Sequence, residues 1–191
     1  MRKLIACMKT SVDGKFQGAE GMADWVDAWS DDYAVMPDID ACLLGGGMYP
    51  GYENYWTGIQ RDPETPAWIT GTPPTPAERD WARFILHTPH YVLSTTLHEA
   101  TWPQTRFLRD LDAVRSLKQA AGKSIYLMGG GKTLAGLMDA GLVDELRLIV
   151  YPLICGDGQT LFSTAHNRRG LALQKVQALP DGRLHLVYGL D

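Results

Sequence analysis

Three consecutive glycines after a short apolar run are the residues in this sequence whose spacing best suits ligand binding. Residues 124–128 have the pattern of a buried strand, which leads into the triplet Gly129–Gly131, and a helical pattern begins at Thr133. Glycine allows close approach of the main chain to a ligand, and the first N–H groups of a helix have no partner within the helix. The segment therefore predicts a cradle for a phosphate group.

Two well-known glycine motifs do not fit this chain. A Walker loop requires glycine five positions before the last glycine of the triplet, where the chain has Tyr126. A dinucleotide fingerprint that starts at the first glycine of the triplet requires glycine at Leu134, and the second glycine run, Gly45–Gly47, fails because Pro50 follows it. Neither a P-loop enzyme nor a standard Rossmann enzyme is indicated, and a tight strand-to-helix turn stays the alternative interpretation of the triplet.

Carboxyl groups in a predicted helix are the candidates for proton transfer. Aromatic residues recur at spacings of three and four over residues 22–35, which predicts an amphipathic helix with an acidic opposite face. Partial burial would raise the pKa of a carboxyl there toward neutrality, as a general acid requires. We select Asp27 as the catalytic candidate because it lies between Trp25 and Trp29 near the helix centre, and a solvated acidic face is the alternative.

Aromatic residues predict the wall of a pocket for a flat substrate. The aromatic residues that could line such a pocket are Trp25, Trp29, Tyr49, Tyr52, Tyr55 and Trp56. Of these, we select Trp25, Trp29 and Tyr49 as the candidates for contact with the substrate. Large aromatic rings stack on planar ligands, but they also fill protein cores, so core packing stays the alternative for each of them.

The cysteine and histidine residues form no recognisable metal-binding pattern. Cys7, Cys42 and Cys155 are far apart, each in an apolar segment, and we expect them to be buried thiols. The five histidines show no paired-ligand spacing. The sequence therefore predicts no metal site.

Composition and charge limit the classes of protein to consider. A chain of 191 residues suits one domain, and a net charge of -4 without a basic stripe argues against a nucleic-acid surface. No apolar run approaches the ~20 residues of a membrane span, and only a short apolar stretch precedes Lys9, so no export signal is indicated. We expect a cytoplasmic protein that acts on a small molecule.

Hydrophobic periodicity predicts a mixed α/β sheet. Helices are predicted over residues 22–35, 76–84, 111–122 and 133–140, and strands over residues 2–8, 39–44, 91–95, 105–108, 125–128, 145–151, 171–178 and 183–190. The last two strands form a hairpin around a turn at residues 180–182, which indicates a largely parallel sheet with an antiparallel edge. An exposed edge at this hairpin would pair with a second copy, and we expect a homodimer.

Six short motifs occur in order along nearly the whole chain. They are Asp13-Gly14-Lys15, the block from Leu43 through Tyr49 to Trp56, Leu93-Ser94-Thr95, Gly129-Gly130, the segment 142–146 and the segment 152–162. Their order resembles that of the dihydrofolate reductase fold family, in particular the reductase domain of bacterial riboflavin biosynthesis. The resemblance implies a dihydrofolate reductase-like three-layer α/β fold: one domain over residues 1–191, with a mixed, mostly parallel sheet and flanking helices.

The resemblance also implies a function and a set of site residues. It implies a reductase that uses a nicotinamide dinucleotide to transfer hydride to a small heteroaromatic substrate of pteridine or pyrimidine type. The glycine triplet would receive the diphosphate, and the turn at Gly14 would be a mobile loop that closes over the nicotinamide. The implied cofactor contacts are Gly14, Lys15, Gly45, Gly46, Met48, Ser94, Thr95, Met128, Gly129, Gly130, Gly131, Lys132, Thr133 and Leu134.

Two positions depart from the family pattern for the phosphorylated cofactor. Members that use it usually carry arginine where this chain has Gly46 and Thr95. A charge-assisted hydrogen bond contributes about 1.5–3 kcal/mol, so the loss of two weakens recognition of a 2′-phosphate. The expected cofactor is NADPH or NADH, and a module of the same fold that binds a nucleotide or a flavin without turnover is the alternative.

Overall fold

Strands and helices alternate along most of the chain. The structure is a computed structural model that describes residues 1–21, 23–26 and 29–190, apart from the side chain of Asp31. The helices are α1 (Tyr49–Arg61), α2 (Pro76–Ile85), α3 (Leu111–Gln119) and α4 (Gly131–Asp139). The strands are β1 (Leu4–Ser11), β2 (Lys15–Gln17), β3 (Ile39–Gly45), β4 (His90–Leu93), β5 (Thr105–Leu108), β6 (Ser124–Leu127), β7 (Glu145–Tyr151), β8 (Gln159–Thr160), β9 (Ala172–Ala178) and β10 (Leu184–Gly189).

Eight of these strands form one mixed sheet in the order β5-β4-β3-β6-β1-β7-β10-β9. Every neighbouring pair from β5 to β7 is parallel, and β10 is antiparallel to both β7 and β9. The turn between β9 and β10 places Asp181 and Gly182 at positive φ, as a tight hairpin connection requires. The predicted parallel sheet with an antiparallel C-terminal edge is therefore confirmed.

Two separate apolar clusters show that helices cover both faces of the sheet. One cluster joins α1 and α2 to the face that carries Ile5 and Cys7 of β1. The other joins α3 and α4 to the opposite face, which carries Leu4, Ala6 and Met8. Because side chains alternate between the faces of a strand, the continuous apolar run of β1 supplies both clusters. This arrangement confirms the predicted three layers.

The predicted helix over residues 22–35 is wrong for the described part of that segment. Residues 24–26 form a turn and a bend, and a single 3-10 turn follows at Asp31–Tyr33. The aromatic rings reach separate partners, because Trp25 packs edge-on to Tyr151 while Trp29 stacks on Trp81. Ala34 then takes a positive φ of 49°, which a continuous helix does not allow.

The helix α1 and the two short strands β2 and β8 have no counterpart in the sequence prediction. Pro50 stands in the first turn of α1, where its missing N–H costs nothing, but two glycines inside the helix weaken its sequence signal. The strands β2 and β8 pair with each other in a separate antiparallel ribbon. This ribbon joins the turn after β1 to the segment after β7.

Candidate functional site

A cleft opens at the carboxyl end of β1, where this strand outruns its neighbour β6. The strand β1 pairs with β6 only over residues 4–6, but it pairs with β7 over residues 5–11. The chain leaves β3 and β6 toward opposite faces of the sheet, into α1 and α4 respectively. In open α/β sheets such a divergence creates a crevice outside the carboxyl ends of the strands. The cleft here has a volume of about 630 Å³.

One wall of the cleft is the glycine triplet at the start of α4. Gly130 is the N-cap residue in an extended conformation, and its carbonyl accepts from the N–H groups of Thr133 and Leu134 at 3.1 and 3.2 Å. Within the described residues, the N–H groups of Gly131 and Lys132 have no hydrogen-bond acceptor. These two donors, the positive end of the helix dipole and the exposed Lys132 side chain suit an anion.

The two glycine runs meet at this wall. A Cβ atom on Gly45 would clash with the side chain of Thr133, so glycine lets β3 lie close to the first turn of α4. A Cβ atom on Gly131 would lie 2.5 Å from the carbonyl oxygen of Leu161, so the start of α4 lies directly under the segment after β8. Close contact, with a side chain at Gly45 and with a main-chain carbonyl at Gly131, is what favours glycine at these positions, since neither has a positive φ.

Gly46, where the family pattern has an arginine for the 2′-phosphate, is also sterically restricted. A Cβ atom on Gly46 would lie 2.5 Å from Oγ of Ser94, and this hydroxyl accepts from the N–H groups of Thr96 and Leu97. The guanidinium of Arg109 donates to the carbonyls of Ser94 and Leu97, both at 2.7 Å. Arg109 thus holds the turn after β4 from the adjacent strand end, while Gly46 leaves no room for a side chain.

Aromatic rings form the opposite wall. Trp29 stacks on Trp81 with ring centroids 3.7 Å apart and planes inclined by 14°. Tyr126 of β6 meets both indoles edge-on, at 6.1 and 5.7 Å. Trp29 is 7% exposed, and within the described residues its indole N–H has no acceptor. The indole N–H of Trp81 is likewise buried without an acceptor among the described residues, so this wall combines a flat apolar surface with two unpaired donors.

A buried histidine lies beneath the aromatic wall. Nδ1 of His90 donates to the carbonyl of Thr88 at 2.8 Å, and Nε2 faces the hydroxyl of Tyr52, which lines the cleft, at 3.4 Å. Burial lowers the pKa of His90 to about 4, because the charged imidazolium loses its hydration there. The imidazole is therefore neutral at physiological pH and serves to position Tyr52.

The turn after β1 is fastened to the segment after β7. The carboxylate of Asp13 accepts from Oγ of Ser11 at 2.6 Å and from the N–H groups of Cys155 and Gly156 at 3.0 and 2.9 Å. These bonds, led by that of Ser11, lower the pKa of Asp13 to about 2. Nζ of Lys15 donates to the carbonyl of Gly158 at 3.1 Å. The predicted mobility of this turn is untested, and in this structure the turn is bonded at both ends.

Most of the predicted cofactor contacts lie at the cleft. Those that line it are Gly45, Met48, Met128, Gly129, Gly130, Gly131, Lys132 and Thr133, together with the predicted substrate contact Trp29. Gly14 and Lys15 belong to the bonded turn, whose neighbours Phe16 and Gln17 line the cleft. Gly46 and Ser94 lie behind this wall, and Thr95 is exposed beside them.

Three predicted residues lie elsewhere. Leu134 is fully buried in the core between α4 and the sheet, and Trp25 packs on Tyr151. Tyr49 is buried, and its hydroxyl is bonded to Glu53 and Thr105, so it faces no open cleft. Asp27 falls outside the described residues. The expectation of three buried thiols holds for Cys7 and Cys42 but is wrong for Cys155, which is half-buried in the loop that Asp13 binds.

Sequence reasoning missed several residues that line the cleft. They include Cys7, Met8, Lys9, Phe16, Gln17, Trp81, Tyr126 and Gln159, whereas the predicted aromatic residues Tyr52 and Trp56 do line the cleft. Lys9 had a detectable signal, because it follows Ile5 and Cys7 on one face of β1 and interrupts an apolar alternation. Trp81 gave no signal distinct from core packing. Within the described ranges, no cluster of three or more acidic, histidine or cysteine side chains is arranged to hold a metal ion.

The chain resembles known proteins over its whole length. Residues 2–185 match the model of the RibD C-terminal domain. The uncharacterized protein YyaP of Bacillus subtilis (strain 168) is 28% identical over 98% of this chain and 94% of its own length. None of the described helices is both long and apolar enough to cross a bilayer.

Two solved structures share the fold at low sequence identity. A diaminohydroxyphosphoribosylaminopyrimidine deaminase/5-amino-6-(5-phosphoribosylamino)uracil reductase of Thermotoga maritima has a TM-score of 0.65 and 15% identity, over 100% of this chain and 57% of that chain. A dihydrofolate reductase of Enterococcus faecalis, complexed with NADP(H), has a TM-score of 0.57 and 14% identity, over 99% of this chain and 96% of that chain. At these identities the likeness shows the fold alone, and it confirms the dihydrofolate reductase-like fold.

Proposed function

Because the chain belongs to the RibD C-terminal domain family, we propose that it is a reductase that uses NADPH or NADH. The hydride acceptor in this proposal is a small heteroaromatic compound of the pteridine or pyrimidine type. The observation that carries the proposal is the meeting of the two glycine runs beside two unbonded N–H groups at the start of α4. A cleft with this wall suits the diphosphate of a dinucleotide.

The residues present fit a bound dinucleotide. Gly129, Gly130 and Gly131 would hold the diphosphate by main-chain N–H groups, with Lys132 as the nearby cation. When bound, the dinucleotide supplies the hydride, so this chain has to position the substrate and exclude water. The stacked indoles of Trp29 and Trp81 give the substrate a flat surface, and the bonded turn at Phe16 and Gln17 closes one side of the cleft.

The preferred form of the cofactor in this proposal is NADH. Gly46 touches Ser94 so closely that no arginine fits there, and Thr95 carries no charge. The guanidinium of Arg109 contacts this turn, but it is already bonded to two carbonyls and to His98. We expect NADH to bind at least as tightly as NADPH.

Titration of the purified protein with NADH and NADPH tests this function. Fluorescence of the reduced nicotinamide reports binding, and oxidation is then followed at 340 nm with dihydrofolate, pterin and pyrimidine acceptors. Binding of either dinucleotide with turnover of an acceptor supports the reductase. No binding of either dinucleotide at millimolar concentration contradicts it.

Binding without turnover favours the alternative, a nucleotide- or flavin-binding module of the same fold. Titration with FMN and riboflavin in the same assay separates these two outcomes, because a flavin site would show flavin binding in preference to NADH. Asp27, outside the described residues, stays the predicted proton donor. Asp27→Asn with unchanged NADH binding and lost turnover would support that role.

The predicted homodimer and the cytoplasmic location are part of the same proposal. All seven residues of β9 are exposed, including Leu173 and Val176, and the strand forms the open edge of the sheet. Apolar edge strands favour pairing with another chain. Sedimentation equilibrium of the wild type and of a Val176→Lys variant tests the dimer, which the added charge should dissociate.

A further inference from the structure

Two buried tyrosines bring hydroxyl groups to the aromatic side of the cleft. Tyr33 follows the segment that carries Trp29, and Tyr126 stands on β6 shortly before the glycine triplet. Both side chains line the cleft, although only 3% of Tyr33 and 4% of Tyr126 is exposed. Both belong to the aromatic cluster on this face of the sheet. A ligand that lies against the aromatic wall would therefore meet two polar groups.

The two hydroxyl groups are unpaired within the protein. Neither Tyr33 nor Tyr126 uses its hydroxyl in a hydrogen bond to any of the described residues. The indole nitrogen of Trp29 is also unpaired, but it is sealed from solvent, whereas the two tyrosine hydroxyls are not. Because their rings line the cleft, these hydroxyls are open to it. Unpaired hydroxyls in such a place need a partner from water or from a ligand.

Both tyrosines are held in place by the surrounding structure. The ring of Tyr126 packs edge-on against Trp29 and Trp81, and its main chain lies between β1 and β3. The main-chain carbonyl of Tyr33 accepts a hydrogen bond from the guanidinium of Arg147 at 2.7 Å. A ligand therefore meets hydroxyls whose positions are largely fixed before binding, which reduces the entropy cost of the bonds that they make.

Both phenols are uncharged at physiological pH. Burial raises the pKa of each well above its usual value, and the next cause for Tyr33 is the Tyr126 phenol, so the two groups lie within electrostatic range of each other. A neutral phenol carries an O–H donor. A ring that accepts hydride must be electron-poor, and a hydrogen bond donated to an oxygen on the ring draws electron density from it. The reaction therefore favours donation by these hydroxyls.

We propose that Tyr33 and Tyr126 determine the specificity of the cleft, by donating hydrogen bonds to a carbonyl oxygen on the ring of a planar heterocycle. The ring lies against the stacked indoles of Trp29 and Trp81, and its oxygen faces the two hydroxyls. An oxo heterocycle fits this arrangement, whereas an amino group at the same position places its own N–H donors against the phenols. This inference rests on the proposed function for the direction of the bonds, but the selection between the two kinds of ring depends on the hydroxyls alone.

Matched rings that differ only in oxo or amino groups test this selection. Isothermal titration calorimetry at about pH 6.5, where all four ligands are mainly uncharged, compares lumazine with 2,4-diaminopteridine and pyrimidin-2-one with 2-aminopyrimidine. The folded whole chain is titrated with and without saturating NADH. We expect the wild type to bind each oxo ring at least about tenfold more tightly than its amino partner. Tyr33→Phe and Tyr126→Phe should each weaken binding of the oxo ring about three- to tenfold and change binding of the amino ring by less than about twofold.

Stability separates this role from a structural one. Because neither hydroxyl has a partner among the described residues, both phenylalanine variants should unfold at the same denaturant concentration as the wild type. Tyr188→Phe is the matched control, since Tyr188 packs against the cluster on the opposite face of the sheet, and it should leave all four affinities unchanged.

Several results would overturn the inference. They are equal affinity of the wild type for oxo and amino rings, no binding of any of the four rings, or an unchanged ratio in both phenylalanine variants. Unfolding of both variants would also overturn it, because the hydroxyls would then be bonded inside the protein. Loss of dinucleotide binding in the wild type would instead contradict the proposed function, and the ratio measured without NADH would still decide the role of the two tyrosines.

Discussion

The two walls of the cleft consist of different types of residue, so substitutions in them should have different effects. The wall at α4 includes Gly45 and Gly131, where an added Cβ atom would clash with Thr133 and with the carbonyl of Leu161, so its shape depends on the absence of side chains there. The aromatic wall consists of large rings that belong to the hydrophobic core as well as to the cleft. Substitution in the aromatic wall should mainly change stability, whereas substitution in the glycine wall should mainly change ligand binding.

Trp81→Ala should have the largest effect on stability. Trp81 is fully buried between Trp29 and Phe84, so its loss leaves a cavity and costs about 3–5 kcal/mol of unfolding free energy. Denaturant unfolding by circular dichroism measures this loss. Trp29→Ala is the matched variant at the cleft side of the same stack, and it should cost less because its ring borders open space. Equal losses in both variants would contradict the division between core and cleft.

His90 gives the aromatic wall a pH dependence. The folded pKa of about 4 lies below the unfolded value of about 6.5, so the unfolded chain binds the proton first. The stabilising effect of the neutral imidazole is complete above about pH 6.5 and is lost as the pH falls toward 4, by roughly 3 kcal/mol. Unfolding between pH 7 and 4 tests this, and His90→Gln should flatten the curve while the exposed His166→Gln should not.

Gly131→Ala should reduce dinucleotide binding at least about tenfold and stability by about 1–3 kcal/mol. The added methyl would lie 2.5 Å from the carbonyl oxygen of Leu161, so the start of α4 or the segment above it must move. Gly136→Ala is the matched control on the same helix, because no atom beyond its own helix turn lies within 4 Å of its Cβ position. That control should stabilise the protein slightly and leave NADH binding unchanged. Equal binding by both variants would contradict the role of the glycine wall.

Asp13→Asn should have the smallest effect on global stability. The exposed carboxylate of Asp13 fastens the turn after β1, and its depressed pKa means that this contribution is present above about pH 4 and is lost as the pH falls through about 2. The variant should lose that acid-dependent component of thermal stability. Faster amide hydrogen exchange at Cys155 and Gly156 measures the local loosening, and unchanged exchange would contradict the fastening role.

The sequence predicted the glycine wall better than the aromatic wall for a physical reason. A run of glycines after a strand indicates a close contact of the chain, and it can be recognised from the residue types alone. Strands such as β1 and β3 can be recognised in the same way from their apolar runs. The aromatic spacing over residues 22–35 matches that of a helix. Trp25 and Trp29 nevertheless pack against two different elements, on Tyr151 of β7 and on Trp81 of α2. Such partners are distant in sequence, so periodicity does not contain them.

The candidate site was predictable only in part for the same reason. The residues at the start of α4 line the cleft, as the position of the glycine triplet before a helix predicted. This was predictable because the first N–H groups of any helix have no partner within the helix. Lys9 enters the cleft only because β1 continues past the end of β6, and this length difference is a property of the pairing. The contact between Gly46 and Ser94 likewise requires knowledge that β3 and β4 are neighbours.

The tight fit of Gly46 against Ser94 restricts how the cofactor preference of this chain can be re-engineered. A single exchange that introduces a guanidinium at residue 46 would drive the new side chain into the neighbouring strand end. Ser94 must therefore first be replaced by a residue with a smaller side chain. Only the double variant, with that change and an arginine at residue 46, tests whether the coenzyme preference can be switched. A library that varies residue 46 alone would discard the successful combination.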